Sequence, residues 1–125
     1  MLAFDRSYSP PAPVALTTWR HSETGETVAN IPMLIDTGAD ATIVPRVVAD
    51  QLGVSPILDQ QYELMGFDGN RSFARAVILD LLFFGKAFRG SYLLSDDAVG
   101  IVGRDVLNHL VLKFDGPALE WNANN

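Results

Sequence analysis

Residues 31–45 read Ile31-Pro32-Met33-Leu34-Ile35-Asp36-Thr37-Gly38-Ala39-Asp40-Ala41-Thr42-Ile43-Val44-Pro45. A hydrophobic strand candidate runs straight into Asp36-Thr37-Gly38, and a second apolar run leaves from Thr42 to Val44. An acid set between two apolar runs is costly to desolvate unless partners satisfy it. It is therefore either a well-bonded structural turn or a reactive group held on a rigid base. One Asp-Thr-Gly decides little by itself, so the flanking chain has to choose.

Upstream, Val14 to Trp19 is rich in β-branched and aromatic residues and reads as a strand, as does Thr27 to Ile35. The polar stretch Arg20 to Glu26 between them makes the pair a hairpin that delivers Asp36 at its far end. Pro32 cannot donate to a ladder, which puts it at an edge or bulge. Residues 1–13, with Pro10, Pro11 and Pro13, are expected to form a flexible N-terminal arm. Downstream, Val47, Val48 and Leu52 keep a helical spacing after Pro45, with Gly53 as the stop.

From Gln60 the pattern returns to period two. Tyr62 and Leu64 lead to the turn Gly66-Phe67-Asp68-Gly69-Asn70, and Phe73 to Leu82 lead away, a hairpin whose tip is either a surface turn or a mobile cover over a groove. Val77 to Phe84 and Ala87 to Leu94 form a further hairpin around Gly85-Lys86. Then Val99 to Leu110 runs V-G-I-V-G-R-D-V-L-N-H-L, an apolar strand at Ile101-Val102 followed by Gly103 and one or two helical turns. Gly103 lets the backbone approach another segment closely, and Arg104, flanked by apolar residues, is expected half-buried with a partner. Val111 to Phe114, the turn Asp115-Gly116-Pro117 and Ala118 to Trp121 close the domain, and 122–125 is a polar tail. The count is about eight or nine short strands with one short and one very short helix, an all-β single domain over 14–121, closed or partly closed like a barrel.

Bulk properties narrow the function. A formal charge of −6 gives no electrostatic reason to expect a nucleic acid or an anionic membrane as partner. With no cysteine and two histidines, thiol nucleophiles and cysteine-based zinc sites are excluded, and neither a metal nor a cofactor is expected. The most apolar internal run, Ala76 to Phe84, is far short of the roughly 20 residues that cross a bilayer. A cytoplasmic location is the default expectation. There is no Ser-His-Asp set in a recognisable context and no Gly-rich phosphate loop. What remains is one carboxylate at a strand-to-loop junction, and one carboxylate does not readily serve as both acid and base.

Asp36-Thr37-Gly38-Ala39-Asp40, with Met33-Leu34-Ile35 before it and Thr42-Ile43-Val44-Pro45 after it, resembles the catalytic segment of the retropepsin-like aspartic proteases. Ile101-Val102-Gly103-Arg104-Asp105-Val106-Leu107 is similar to that family's second signature. The resemblance covers nearly the whole of 14–121. The longer connection from Val44 to Tyr62 places it nearer the bacterial and cellular members than the viral ones.

What the resemblance implies is a homodimer in which Asp36 of each chain meets its twin on a two-fold axis. Two carboxyls sharing a proton would then activate water to hydrolyse a peptide bond in an extended polypeptide. Thr37 would form the grip beneath the dyad and Gly38 would leave room for substrate. Ala39 and Asp40 would line the adjacent main-chain positions, with Arg104 as structural support paired to Asp40. Met65, Gly66, Phe67 and Asp68 would belong to the flap, and Val99 and Ile101 to the apolar pockets. The dimer would be sealed by C-terminal strands. Two other readings stay open: a retropepsin-like dimer of weak or no activity that serves as a peptide-binding or assembly module, and an unrelated β-barrel in which Asp36 caps a turn.

Overall fold

The computed structural model describes residues 1–57, 61–65 and 69–124. Strand β2 (Val14–Arg20) pairs antiparallel with β3 (Thr27–Ile35), the hairpin that ends at Asp36. From β3 the sheet continues through β8 (Gly100–Val102), β4 (Ile43–Pro45), β7 (Lys86–Ser95) and β6 (Arg71–Phe83), and β6 pairs back onto β2. These six strands form a closed barrel. Strand β5 (Gln61–Met65) extends the first part of β6 into a projecting hairpin. Helix α1 (Arg46–Leu52) follows β4, and α2 (Arg104–Leu107) follows β8. Outside the barrel, β1 (Leu2–Ala3), β10 (Glu120–Ala123) and β9 (Leu112–Asp115) make a three-stranded sheet in that order.

Alternation fills the barrel. Val77, Leu79, Leu81 and Phe83 of β6 point inward to meet Ile31, Met33 and Ile35 of β3 and Trp19 of β2. Each such side chain, fully buried, contributes about 1.5–3 kcal/mol of transfer free energy. Thr17 also points inward, and its hydroxyl is satisfied twice: it donates to the Ile31 carbonyl and accepts from Trp19 Nε1, both at 2.9 Å. Val48, Ala49 and Leu52 give α1 the buried face that packs it on the barrel, and Gly53 at φ 67° ends the helix in the left-handed conformation. Pro32 stands opposite Leu16, one residue before β8 joins at Met33, so its missing N–H faces an unpaired side.

One position in β6 breaks the apolar run. Asp80 faces outward on the seam that closes the barrel, opposite Arg20 of β2 and Arg89 of β7. Its Oδ2 lies 2.9 Å from Arg20 Nη2 and its Oδ1 2.8 Å from Arg89 Nε, and the Ser22 hydroxyl donates at 3.1 Å. Although buried, the carboxyl is held down to a pKa of about 2. The hydrogen bond from Arg89 is the largest cause and, with those from Arg20 and Ser22, outweighs the opposing effect of burial.

Four local readings are corrected. Phe73–Leu82 and Val77–Phe84 are not parts of two strands but one strand of 13 residues, β6, whose first part pairs with β5 and whose second part pairs with β7. The hairpin turn is Phe84-Gly85 rather than Gly85-Lys86, because Phe83 pairs with Lys86; Phe84 holds φ 50° while packed against Phe83 and Trp121. The C-terminal hairpin turns through Gly116–Leu119, with Asp115 opposite Glu120 and the Asp115 carboxylate accepting from the Ala118 N–H. Residues 1–13 do not extend away as an arm. Leu2 and Ala3 pair with Trp121 and Glu120, the Phe4 N–H donates to the Leu119 carbonyl, and Asp5 bridges Ala12.

Candidate active site

Strands β3 and β8 run parallel, with Leu34 opposite Ile101 and Ile35 opposite Val102. The Asp36 N–H extends that ladder by one bond, donating to the Val102 carbonyl at 3.1 Å. The two signature segments, far apart in sequence, therefore end side by side. The half-buried Asp36 carboxylate accepts the Gly38 N–H on Oδ1 at 2.9 Å, and the Ala39 N–H closes the turn onto the Asp36 carbonyl at 3.2 Å. Its Oδ2 has no partner among the described residues. A Cβ on Gly38 would sit 3.1 Å from Oδ1, so the glycine keeps that side of the carboxylate open.

The segment after β8 fastens the loop from below. The Arg104 N–H donates to the Ala39 carbonyl at 2.9 Å, and Arg104 Nη1 to the Thr37 carbonyl at 2.7 Å. Asp105 takes the Thr42 hydroxyl at 2.6 Å and the Thr42 N–H at 3.1 Å, while the Thr42 oxygen accepts the Gly103 N–H at 3.0 Å. Gly103 has the close approach expected of it, since a Cβ there would lie 2.6 Å from the Ala41 carbonyl oxygen. Two expectations for Arg104 are corrected. The residue is exposed rather than half-buried, and its guanidinium reaches a carbonyl of the loop instead of Asp40, which forms no ion pair among the described residues. The second anchor is Asp105, which sequence reasoning passed over and which holds the buried Thr42; the signal was an acid directly after Gly-Arg.

Beside the loop lies a cavity of about 510 Å³ under the β5–β6 hairpin. Val99 and Ile101 line it, with Ile43, Leu64, Ala74 and Leu94 completing an apolar wall. Arg46, Arg75, Asp96 and Asp97 stand at its charged part, and Arg46 Nε pairs with Asp96 Oδ1 at 2.8 Å. Asp36 is not among its described lining residues; Ile101, adjacent to Val102 and its bond to Asp36, is the link between cavity and carboxylate. Of the remaining candidates, Thr37 and Asp40 are exposed on the loop and Ala39 is half-buried. Met65 is 65% exposed at the end of β5, opposite Arg71. Gly66, Phe67 and Asp68 lie outside the described residues. Leu64, one step from Met65 and on the opposite face of the strand, lines the cavity from β5, and Phe73, Ala74 and Arg75 line it from β6.

No cluster of three or more His, Asp or Glu side chains suited to a metal occurs among the described residues. No helix among them is long and apolar enough to cross a membrane.

A closed barrel with a projecting hairpin, an acid at the end of β3 and a short helix after a Gly-Arg is the retropepsin-like acid-protease fold. Among solved structures, the EIAV protease complexed with the inhibitor HBY-793 matches with a TM-score of 0.58 at 20% identity, over 78% of this chain and 86% of that one. At that identity the likeness is one of fold. No family model and no curated protein sequence matches the chain.

Proposed function

We propose that this chain is one half of a homodimeric aspartic endopeptidase, with Asp36 from each of two copies forming the catalytic pair. The observation that carries the reading is the junction of β3 and β8. It presents a half-buried carboxylate with one oxygen that has no partner among the described residues, on a loop pinned by Arg104, Asp105 and Thr42, near a cavity that has an apolar wall. A single well-fixed carboxylate is half of an acid–base set, and a two-fold axis supplies the other half without a second motif. Thr37, exposed and with no side-chain partner among the described residues, suits a grip made with the twin loop.

In the pair, two carboxyls about 3 Å apart share one proton and titrate together. The ionised member accepts a proton from water as it attacks the scissile carbonyl, and the protonated member donates to the developing oxyanion. The substrate is an extended polypeptide held between the β5–β6 hairpin and the barrel, with apolar side chains entering the cavity at Val99 and Ile101. Gly38, Ala39 and Asp40 border its main chain, and Met65 covers it. The α1 insertion after β4 supports a place nearer the bacterial and cellular members of the fold than the viral ones.

The test incubates wild type and Asp36→Asn with a diverse peptide mixture between about pH 4 and 7, the range in which carboxyl pairs work, and reads products by mass spectrometry. Wild type should cut and the variant should not. Cleavage that persists in Asp36→Asn contradicts the mechanism, and a dimer that binds the peptides without cutting them favours a binding or assembly module.

A further inference from the structure

The cavity under the β5–β6 hairpin joins an apolar wall to four charged side chains, and the four are not equivalent. Arg46 and Asp96 are paired with each other, Nε lying 2.8 Å from Oδ1. Arg75 alternates along β6 with buried Ala74 and Ala76 and so stands with exposed Phe73 on the outer face of the hairpin. Asp97 differs from all three. It lines the cavity, is exposed, and has no hydrogen bond or ion pair among the described residues. It also comes two residues before Val99, which with Ile101 belongs to the apolar wall. An aliphatic stem lying on that wall can carry its end to a carboxylate that nothing else among the described residues neutralises.

We propose that the side chain this cavity selects is basic: a lysine or arginine of the extended substrate, its stem on Val99 and Ile101 and its cationic end on Asp97. Long cationic side chains divide themselves in this way between apolar surface and a polar end. The inference rests on the reading of Asp36 as half of a proteolytic site and adds the class of substrate to it. The surroundings favour a cation over an anion. Pairing with Asp96 removes Arg46 as a partner for an acidic side chain, and the chain as a whole carries a formal charge of −6. A basic segment is therefore drawn toward the cleft and an acidic one repelled. The two-fold axis repeats the cavity in the second copy, so the preference should fall at two positions, one on each side of the cut bond.

A peptide library varied along its length, screened with the full chain for cutting and for binding, first locates the position. Two peptides that differ only there are then compared, one with lysine and one with norleucine, which keeps the aliphatic stem and lacks the charge. Wild type should show a kcat/KM about fivefold higher for the lysine peptide, and the ratio should shrink in high salt. Asp97→Asn should bring the ratio to about one, and Asp97→Lys should turn the preference toward a glutamate peptide. Arg46→Gln, which releases Asp96, should raise the ratio, whereas loss of a mere loop brace would slow both peptides alike. Glu23→Gln makes the same change of net charge on the turn between β2 and β3 and should leave the ratio as it is. A wild-type preference for norleucine or glutamate overturns the proposal. So does a lysine preference that survives Asp97→Asn, vanishes in Glu23→Gln or fails to rise in Arg46→Gln. The same peptides with the scissile amide reduced are titrated for binding. Tighter, Asp97-dependent binding of the lysine form by a chain that cuts nothing sinks the proteolytic reading and leaves the selectivity standing. Asp36-dependent cutting without that selectivity does the reverse, and a chain that neither cuts nor binds refutes both.

Discussion

Asp36 and Asp80 are both acids embedded in apolar strand sequence, and the fold treats them in opposite ways. Asp80 sits in the middle of β6 at the barrel seam and is saturated: two arginines and a serine take its oxygens, and its proton is gone down to a pKa of about 2. Asp36 sits one residue past the end of β3 and, among the described residues, accepts a single N–H from its own turn and keeps an oxygen without a partner. An acid whose partners sit on two neighbouring strands and the loop beside them is part of the framework. An acid whose surroundings are fastened while it is left open is equipped to act. Around Asp36 the bonding goes to the loop carbonyls and to Thr42, which fixes the position of the carboxylate without neutralising it.

The largest expected contrast follows from exchanging each acid for its amide. Asp36→Asn keeps an oxygen for the Gly38 N–H, so urea unfolding should shift by no more than about 0.5 kcal/mol, while peptidase activity falls about 10³-fold or more through loss of the acid–base group. Asp80→Asn should do the converse. It leaves two guanidinium groups at the seam without their anion and lowers stability by about 3 kcal/mol, with the activity of the folded fraction retained. An Asp36→Asn protein that is mainly destabilised, or an Asp80→Asn protein that is stable but inactive, would collapse the distinction.

Asp105 lies between the two cases, bonded like Asp80 but serving the loop of Asp36. Asp105→Ala removes the acceptor of the Thr42 hydroxyl and N–H. It should lower stability by about 2 kcal/mol and reduce activity by more than the unfolded fraction accounts for, since the loop loses its anchor. Activity that tracks the folded fraction alone would make Asp105 a framework acid only.

The smallest expected effect is in pH. The folded pKa of Asp80 lies below its ordinary value, so its contribution is complete above about pH 4 and is lost as pH falls through about 2. Arg89 is 63% exposed and solvent screens the pairing, which leaves about 1–2 kcal/mol to be lost in that window. Wild type and Asp80→Asn should therefore differ less in urea midpoint at pH 2 than at pH 5. A constant gap would mean that the stabilisation does not come from the charged carboxyl.

Much of this was legible in the chain. The strand Thr27–Ile35 has the expected bounds because alternation, β-branching and the Asp-Thr-Gly stop agree on them. The α1 helix and its Gly53 stop also agree. The rest depended on cross-strand partners. Asp80 reads in sequence only as an interruption, because Arg20 is 60 residues away and Arg89, nine residues away, is brought opposite by the Phe84-Gly85 turn. The bond between Thr42 and Asp105 spans 63 residues and exists only once β4 and β8 are neighbours. The pairing of β1 was hidden because two residues ahead of a proline-rich stretch carry no period, and their position is set by Trp121 and Leu119 at the far end of the chain.

The central claim is that one Asp36 is useless alone and two make a site. It is tested most directly by holding the amount of wild type constant, adding an equal amount of Asp36→Asn, allowing subunits to exchange and measuring the rate of peptide cleavage. If two chains build the site, half of the wild-type subunits end up beside a variant and the rate falls to about half. A rate that does not change on mixing would show that each chain works alone, and would contradict the account.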